Sequence, residues 1–258
     1  MSKNKTPVSS DLGDLRNKID AVDDRLLDLL AERSMLVNQV AQAKRDSAQT
    51  HILRPAREAQ QMRKFLDWHG RNAADMPLAG FQAVWREIIS SSVSQQKPLT
   101  VYYVGMVHEA AKTQFGQAAH YAQIDDLSEL LVEITNTSHA IGVVDVQIDG
   151  FLTCFYDAVQ KDQTSSVRIF LSLPLFDTSA QIFCLGHIPA EASGVDRTVL
   201  IGPASAMPAD AIALASENGM GLAMVDGFVT QEALDPLLQQ GGVFVCGHVP
   251  LFEERKEG

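Results

Sequence analysis

The 258-residue chain is 46% hydrophobic and 21% charged, which provides apolar material for one large or two small domains. Its net charge of −11 hides an asymmetry: residues 1–97 carry 15 Lys/Arg against 12 Asp/Glu, whereas residues 98–258 carry 6 against 20. The acidic second half has no cationic stripe for phosphates, so nucleic acid is excluded as its partner, and a small anionic ligand is expected in the first half.

Residues 1–10 form a polar tail without the apolar run of a signal peptide, and no window approaches a membrane span, so a cytoplasmic protein with no membrane partner is expected. From Leu15 onward, apolar residues recur at Ile19, Val22, Leu26, Leu29, Leu30, Val37 and Val40, the three-and-four spacing of one helix face. The pattern predicts a helix from Asp14 to Arg45, about 48 Å long at 1.5 Å per residue. A rod of that length outgrows the core that a domain ending near residue 97 can supply, so its stripe is expected to meet a second copy of itself in a helical dimer.

The polar stretch Asp46–His51 breaks the pattern. Pro55 suits the first turn of a second helix, whose stripe is Ala56, Ala59, Met62, Phe65 and Leu66. A third helix opens at Met76–Leu78 and carries Phe81, Val84, Trp85, Ile88 and Ile89 toward Gln96, with a linker at Gln96–Pro98. These assignments divide the chain into a tail (1–10), a helical domain (11–97) and an α/β domain (98–258).

Charge placement on the long helix carries the functional reading. Arg33 and Lys44 are eleven residues apart, only about 20° beyond full helical turns, so they share a face. That face is the apolar seam, where a cation must be paired or hold an anion. Ser92 and Gln96 continue the stripe of the third helix, and Arg57 and Glu58 add a guanidinium and a carboxylate at the start of the second. The competing reading is an ion pair of Glu58 with Arg33 or Lys44.

The segment Leu15-Arg16-Asn17-Lys18-Ile19-Asp20, with Asp23, Leu26, Leu27, Leu30, Arg33 and Lys44, resembles the first helix of the all-helical chorismate mutases. The similarity continues through Pro55-Ala56-Arg57-Glu58 and closes with Ile88-Ile89-Ser90-Ser91-Ser92-Val93-Ser94-Gln95-Gln96. It implies an intertwined homodimer of three-helix chains. Arg33, and Arg16 from the other protomer, would clamp the two carboxylates of chorismate, with Arg57 near them and Ser92 supporting one carboxylate. Lys44 and Gln96 would donate to the ether oxygen of the breaking bond, and Glu58 would accept from the ring hydroxyl. The implied reaction, chorismate to prephenate, needs no metal or cofactor. One position departs from the pattern: Arg54 stands where relatives commonly carry an acid, and it either adds a cation near the site or points to solvent.

Beyond Pro98, short β-branched runs alternate with helical segments, the pattern of an α/β domain. Strands are expected at Thr100–Val104, Ala140–Val146, Val167–Leu171, Ala180–Leu185, Val199–Gly202, Leu222–Val225 and Val243–Cys246. An Ala/Gln-rich stretch runs from His108 to Ala119, and helices are expected at Leu127–Ile134, Ala209–Asn218 and Thr230–Gln239. The run Ala140-Ile141-Gly142-Val143-Val144 resembles a strand of the prephenate dehydratases. That family's loops and catalytic motif are replaced by Gly105-Met106-Val107-His108, Asp145-Val146-Gln147-Ile148-Asp149 and Asp196-Arg197-Thr198, which implies a degenerate domain with a regulatory or assembly role. Arg197–Phe228 reads strand, helix, strand and resembles an amino-acid-binding module, making an aromatic amino acid the candidate effector. Cys154, Cys184 and Cys246 have no Cys-x-x-Cys spacing and the histidines no metal-ligand spacing. Two other activities fit the same residues: a bifunctional mutase/dehydratase, and an isochorismate-pyruvate lyase using the same clamp. A purely structural helical dimer is the non-enzymatic reading.

Overall fold

The computed structural model describes residues 11–46, 52–137, 139–161, 167–175 and 181–252, so the expected tail and all of the Asp46–His51 break except Asp46 itself lie outside them. The chain divides into two compact units, residues 1–50 and 51–258.

In the first unit the described element is one helix, α1 (Leu12–Asp46), about 52 Å long at 1.5 Å per residue. Asp14 lies in its first turn and Lys44 and Arg45 in its last, each favourable to the helix dipole. Along the expected stripe Leu15, Ile19, Val22, Leu26, Leu29, Leu30 and Val40 are 42 to 60% exposed.

The second unit begins with α2 (Pro55–Asn72) and α3 (Leu78–Gln96). Pro55 opens α2 at a position where the missing N–H costs nothing. The two helices meet along an aromatic seam, Phe65 against Trp85 with ring centroids 4.0 Å apart and Trp68 stacked on Phe81 at 6.0 Å. His69 lies against Phe81 as well, and its ring nitrogen Nε2 is 2.8 Å from the Met76 carbonyl in the connecting loop.

A nine-stranded sheet follows. Its first part alternates β1 (Thr100–Val104), α4 (His108–Phe115), β2 (His120–Gln123), α5 (Leu127–Asn136), β3 (Ala140–Asp145) and α6 (Phe151–Lys161). The later strands are β4 (Arg168–Leu173), β5 (Ile182–Gly186), β6 (Asp196–Pro203), β7 (Ile212–Glu217), β8 (Met220–Asp226) and β9 (Phe244–Pro250), with α7 (Pro236–Gln240) before the last. The strand order is β2-β1-β3-β5-β4-β9-β6-β8-β7. Strands β1, β2 and β3 are parallel, and the rest pair antiparallel except at β4–β9. β3 is buried from Ala140 to Val144, as a strand covered on both faces must be.

Each sheet face has its own cover. Val144, Ile169 and Phe183 pack with Leu130, Ile134, Phe151 and Phe155 of α5 and α6. Ile141, Val143, Phe170, Leu171 and Cys184 pack on the other side with Ala111 and Phe115 of α4, and in the same cluster are Ile52, Leu53, Ala59 and Met62 at α2 and Val93 of α3. The change of element type expected near Lys97 is present, since α3 ends at Gln96 and β1 starts at Thr100. Compactness follows a different line, because α2 and α3 share a core with the sheet. Gly116, at φ +74, is part of that packing: a Cβ there would lie 2.2 Å from Ser90 Oγ of α3.

Three expectations are corrected. The Ala209–Asn218 helix is strand β7, and Arg197–Phe228 is therefore not strand, helix, strand but a run of strands in which β8 pairs with both β6 and β7. Asn218 and Gly219 both take positive φ, 50° and 80°, which builds the two-residue turn of a β-hairpin where alanine content had favoured helix. Thr230–Gln239 is one 3-10 turn, Gln231–Ala233, followed by α7, which Pro236 and the Asp235 cap start afresh. After β6 the chain makes a 3-10 turn at Ala204–Ala206. The expectations omitted β2 and α6. Among the described residues no helix is long and apolar enough to cross a membrane.

A fragment ending at Lys97 would expose the faces of α2 and α3 that pack on the sheet. Circular dichroism melting is expected to show a broad, low-temperature transition or aggregation for that fragment, against a cooperative transition for the full chain.

Candidate active site

Three of the expected site residues, Arg16, Arg33 and Lys44, lie on α1, and four, Arg57, Glu58, Ser92 and Gln96, lie on α2 and α3. On α1 the shared phase of Arg33 and Lys44 is realised in a continuous helix, with Arg16 about 100° away. Arg33 and Lys44 are half-buried, and burial pulls the Arg33 guanidinium below its ordinary pKa.

In the second unit, Glu58 sits in the first turn of α2, where the helix dipole favours a carboxylate. Its side chain is only 16% exposed, and its partner is Arg86 of α3, whose side chain is 8% exposed. Both terminal nitrogens of Arg86 donate to the same oxygen, Oε2, at 3.3 and 3.2 Å. Burial raises the Glu58 pKa above the ordinary glutamate value, and the Arg86 charge acts in the opposite direction. Arg57, the next residue back, is exposed. Ser92 is buried and donates to the Ile88 carbonyl at 2.7 Å, and the Gln96 amide donates to the Ser92 carbonyl at 3.0 Å.

Sequence reasoning missed Arg86. It stands seven residues before the buried Val93 and four before the buried Ser90, which places all three on one helix face. That phase was the available signal. Trp85, Ile88 and Ile89 form an apolar stripe beside it, which masks that phase in the sequence.

The neighbouring polar residues of α2 dock it on the α/β fold. Arg54 pairs with Glu191 through Nη2 at 3.0 Å to both carboxylate oxygens and Nε at 3.3 Å to one of them. Arg54 is solvent-exposed, as one of its two alternatives had it, and is held there in a forked ion pair. Gln60 donates to the Ser193 carbonyl at 3.2 Å, and Arg63 donates to the carbonyls of Ser193, at 2.6 Å, and Leu251. The Ser193 turn is itself tied by Asp196, which accepts the Ser193 N–H at 2.9 Å and the Gly194 N–H at 3.1 Å.

Asp196, Arg197 and Thr198 are engaged in strand and turn structure. Asp196 holds that turn, Arg197 pairs with Asp226 at 3.2 Å, and the Thr198 hydroxyl bridges the Gly227 carbonyl and the Val229 N–H at 2.8 Å each. Cys184 and Cys246 are buried, which raises both thiols, and Cys154 is partly buried.

Residues 15–97 match the family described as chorismate mutase type II. A bifunctional chorismate mutase/prephenate dehydratase of Aquifex aeolicus is 32% identical over 178 residues, covering 66% of this chain and 49% of the relative. Enzymes of the same name from Neisseria gonorrhoeae and Stutzerimonas stutzeri are 28% and 29% identical over 141 residues, covering 52% of this chain and 37% and 38% of theirs. The chain thus spans about half the length, or less, of these relatives. A prephenate dehydratase structure from Streptococcus mutans aligns over 60% of this chain and 99% of that one at 13% identity, with a TM-score of 0.35, below what establishes a common fold.

Because folding raises the Glu58 pKa, its favourable contribution to stability is present below the ordinary glutamate pKa and is lost as pH rises through the folded value. Carboxyl-carbon NMR of the full chain is expected to show Glu58 titrating above its free-peptide value. Arg86→Met should move that titration further upward, and a downward move would contradict the pairing.

Proposed function

We propose, from the match of residues 15–97 to the type II chorismate mutases, that this chain converts chorismate to prephenate as a homodimer. The observation that carries the reading is that the matched span contains Arg16, Arg33, Lys44, Arg57, Glu58, Ser92 and Gln96, residues whose types suit the reaction and whose order is that of the resemblance. The reaction breaks a C–O bond and forms a C–C bond in one pericyclic step, with no proton transfer. Positioning and electrostatics are the whole of the catalysis.

Arg33 and the partner subunit's Arg16 clamp the two carboxylates and hold the flexible dianion compact, so that its ends are close enough to react. Arg57 and Ser92 line the carboxylate side. The ether oxygen gains negative charge in the transition state, and donors from Lys44 and Gln96 stabilise that state more than the substrate. For Gln96 this means exchanging its bond to the Ser92 carbonyl for one to substrate. Glu58 accepts from the ring hydroxyl, which its ionised form does best. The exposed stripe of α1 supports the dimer, since a second copy would cover apolar side chains left in water by one chain. An aromatic amino acid acting through the α/β domain is the proposed effector, read as mutase inhibition or a melting shift.

A millionfold acceleration corresponds to about 8 kcal/mol, within reach of a clamp and two directed donors. Arg33→Ala and Lys44→Ala are each expected to lower kcat/KM for prephenate formation by roughly a hundredfold or more, as loss of one directed donor does elsewhere. Mixing Arg16→Ala chains with Lys44→Ala chains should restore activity, because one site of the mixed dimer has both residues. If the mixture stays inactive under conditions that exchange subunits, the shared-site reading fails. Product analysis with isochorismate separates the mutase from a lyase.

One observation favours a second reading. The 178-residue similarity to the Aquifex enzyme must extend beyond residue 97 and into the α/β domain. The engagement of Asp196, Arg197 and Thr198 in strand structure supports a domain without dehydratase activity. No phenylpyruvate is expected from prephenate at neutral pH, and its enzyme-dependent appearance would establish the bifunctional reading.

A further inference from the structure

Arg86 belongs to none of the roles above, yet it is 7% exposed and its charged end lies against Glu58. We propose that Arg86 is a positioning residue for the mutase reaction, acting through Glu58 to hold that carboxylate's second oxygen toward the substrate's ring hydroxyl. The inference rests on the mutase reading.

A guanidinium paired for charge alone commonly contacts both oxygens of its carboxylate in parallel. Here both terminal nitrogens converge on Oε2, so Oε1 is not engaged by the arginine. Fixing one oxygen from two donors sets the plane of the carboxylate and the direction in which the other oxygen points. The pair also crosses from α2 to α3, the helix that carries Ser92 and Gln96. It therefore registers the acceptor for the ring hydroxyl against the groups assigned to the ether oxygen and the carboxylate.

The arrangement is a poor device for stability. The Nε–H of Arg86 is buried with no acceptor among the described residues, and a buried ion pair is often no more stable than apolar residues of the same volume. A cation held at that cost is explained by what it orients. The interaction leaves the substrate's contacts to Glu58, so Arg86 itself touches no reacting atom.

The test uses the full chain with Arg86→Met, Arg86→Lys, Glu58→Gln and the double variant Glu58→Gln/Arg86→Met, comparing kcat, KM and melting temperature. Arg86→Met is expected to lower kcat on the order of tenfold or more with KM little changed, the signature of a misdirected group rather than a lost binding contact. In the Glu58→Gln background the same substitution should lower kcat no further, because the residue through which it acts is gone. Arg86→Lys keeps the charge and loses the fork, so its kcat should fall while its melting temperature stays near that of the parent; this variant carries the test if Arg86→Met does not fold. An unchanged kcat in the folded arginine variants, or an equal loss from Arg86→Met in both backgrounds, overturns the inference and leaves the mutase reading standing. A parent chain that makes no prephenate overturns both.

Discussion

The burial of α2 and α3 on one face of the sheet is the constraint on which the rest of the second unit depends. Ala59 and Met62 of α2 and Val93 of α3 belong to the same apolar cluster as Ile141, Val143 and Phe170 of the strands. Those side chains leave water only if both helices lie on the sheet, and the helices can do so only with their remaining faces fixed in rotation. Phase then determines everything polar. With Val93 buried, Arg86 must be buried as well, and a buried arginine must find an acid. The acid within reach is Glu58, at the start of the helix that the same cluster has already placed.

The boundary of the proposed chemistry and the boundary of packing therefore differ. Residues proposed for the mutase reaction end at Gln96, and the charge balance changes sign near the same point. The apolar core takes no account of that point and runs from Ile52 to Phe252. The α2–α3 segment thus has an acidic α/β fold as its support, and the polar contacts between them include donors on the helical side, Arg54 to Glu191 and Gln60 and Arg63 to backbone carbonyls, and one acceptor, Glu87, which takes the Gln117 N–H.

Much of this was legible in the residues. Periodicity placed α1, α2 and α3 within a few positions, since each carries a three-and-four stripe and Pro55 marks a start. That Arg33 and Lys44 share a face of α1 was read from phase alone. β7 was not found, because its alanines suit a helix and the deciding signal, Asn218-Gly219 as a two-residue turn, is a property of two residues outside the strand. The pairing of Glu58 with Arg86 could not be read either. Sequence gives the phase of each residue on its own helix, but which acid meets which base depends on how two helices are rotated against a third body, and that rotation is set by the sheet. Arg54 was a departure from a family pattern until Glu191, 137 positions away, supplied its reason.

The contacts of α2 with the α/β fold are of two chemical kinds, and they leave different freedom for evolutionary drift. Arg63 addresses the carbonyls of Ser193 and Leu251, groups that every residue type provides. The side chains at 193 and 251 can therefore vary without releasing the helix at that point. Arg54 addresses a carboxylate, which only an acidic residue provides. A change of Glu191 to a neutral residue would therefore remove the Arg54 fork, whereas changes of side chain at 193 and 251 leave the carbonyls that Arg63 uses in place.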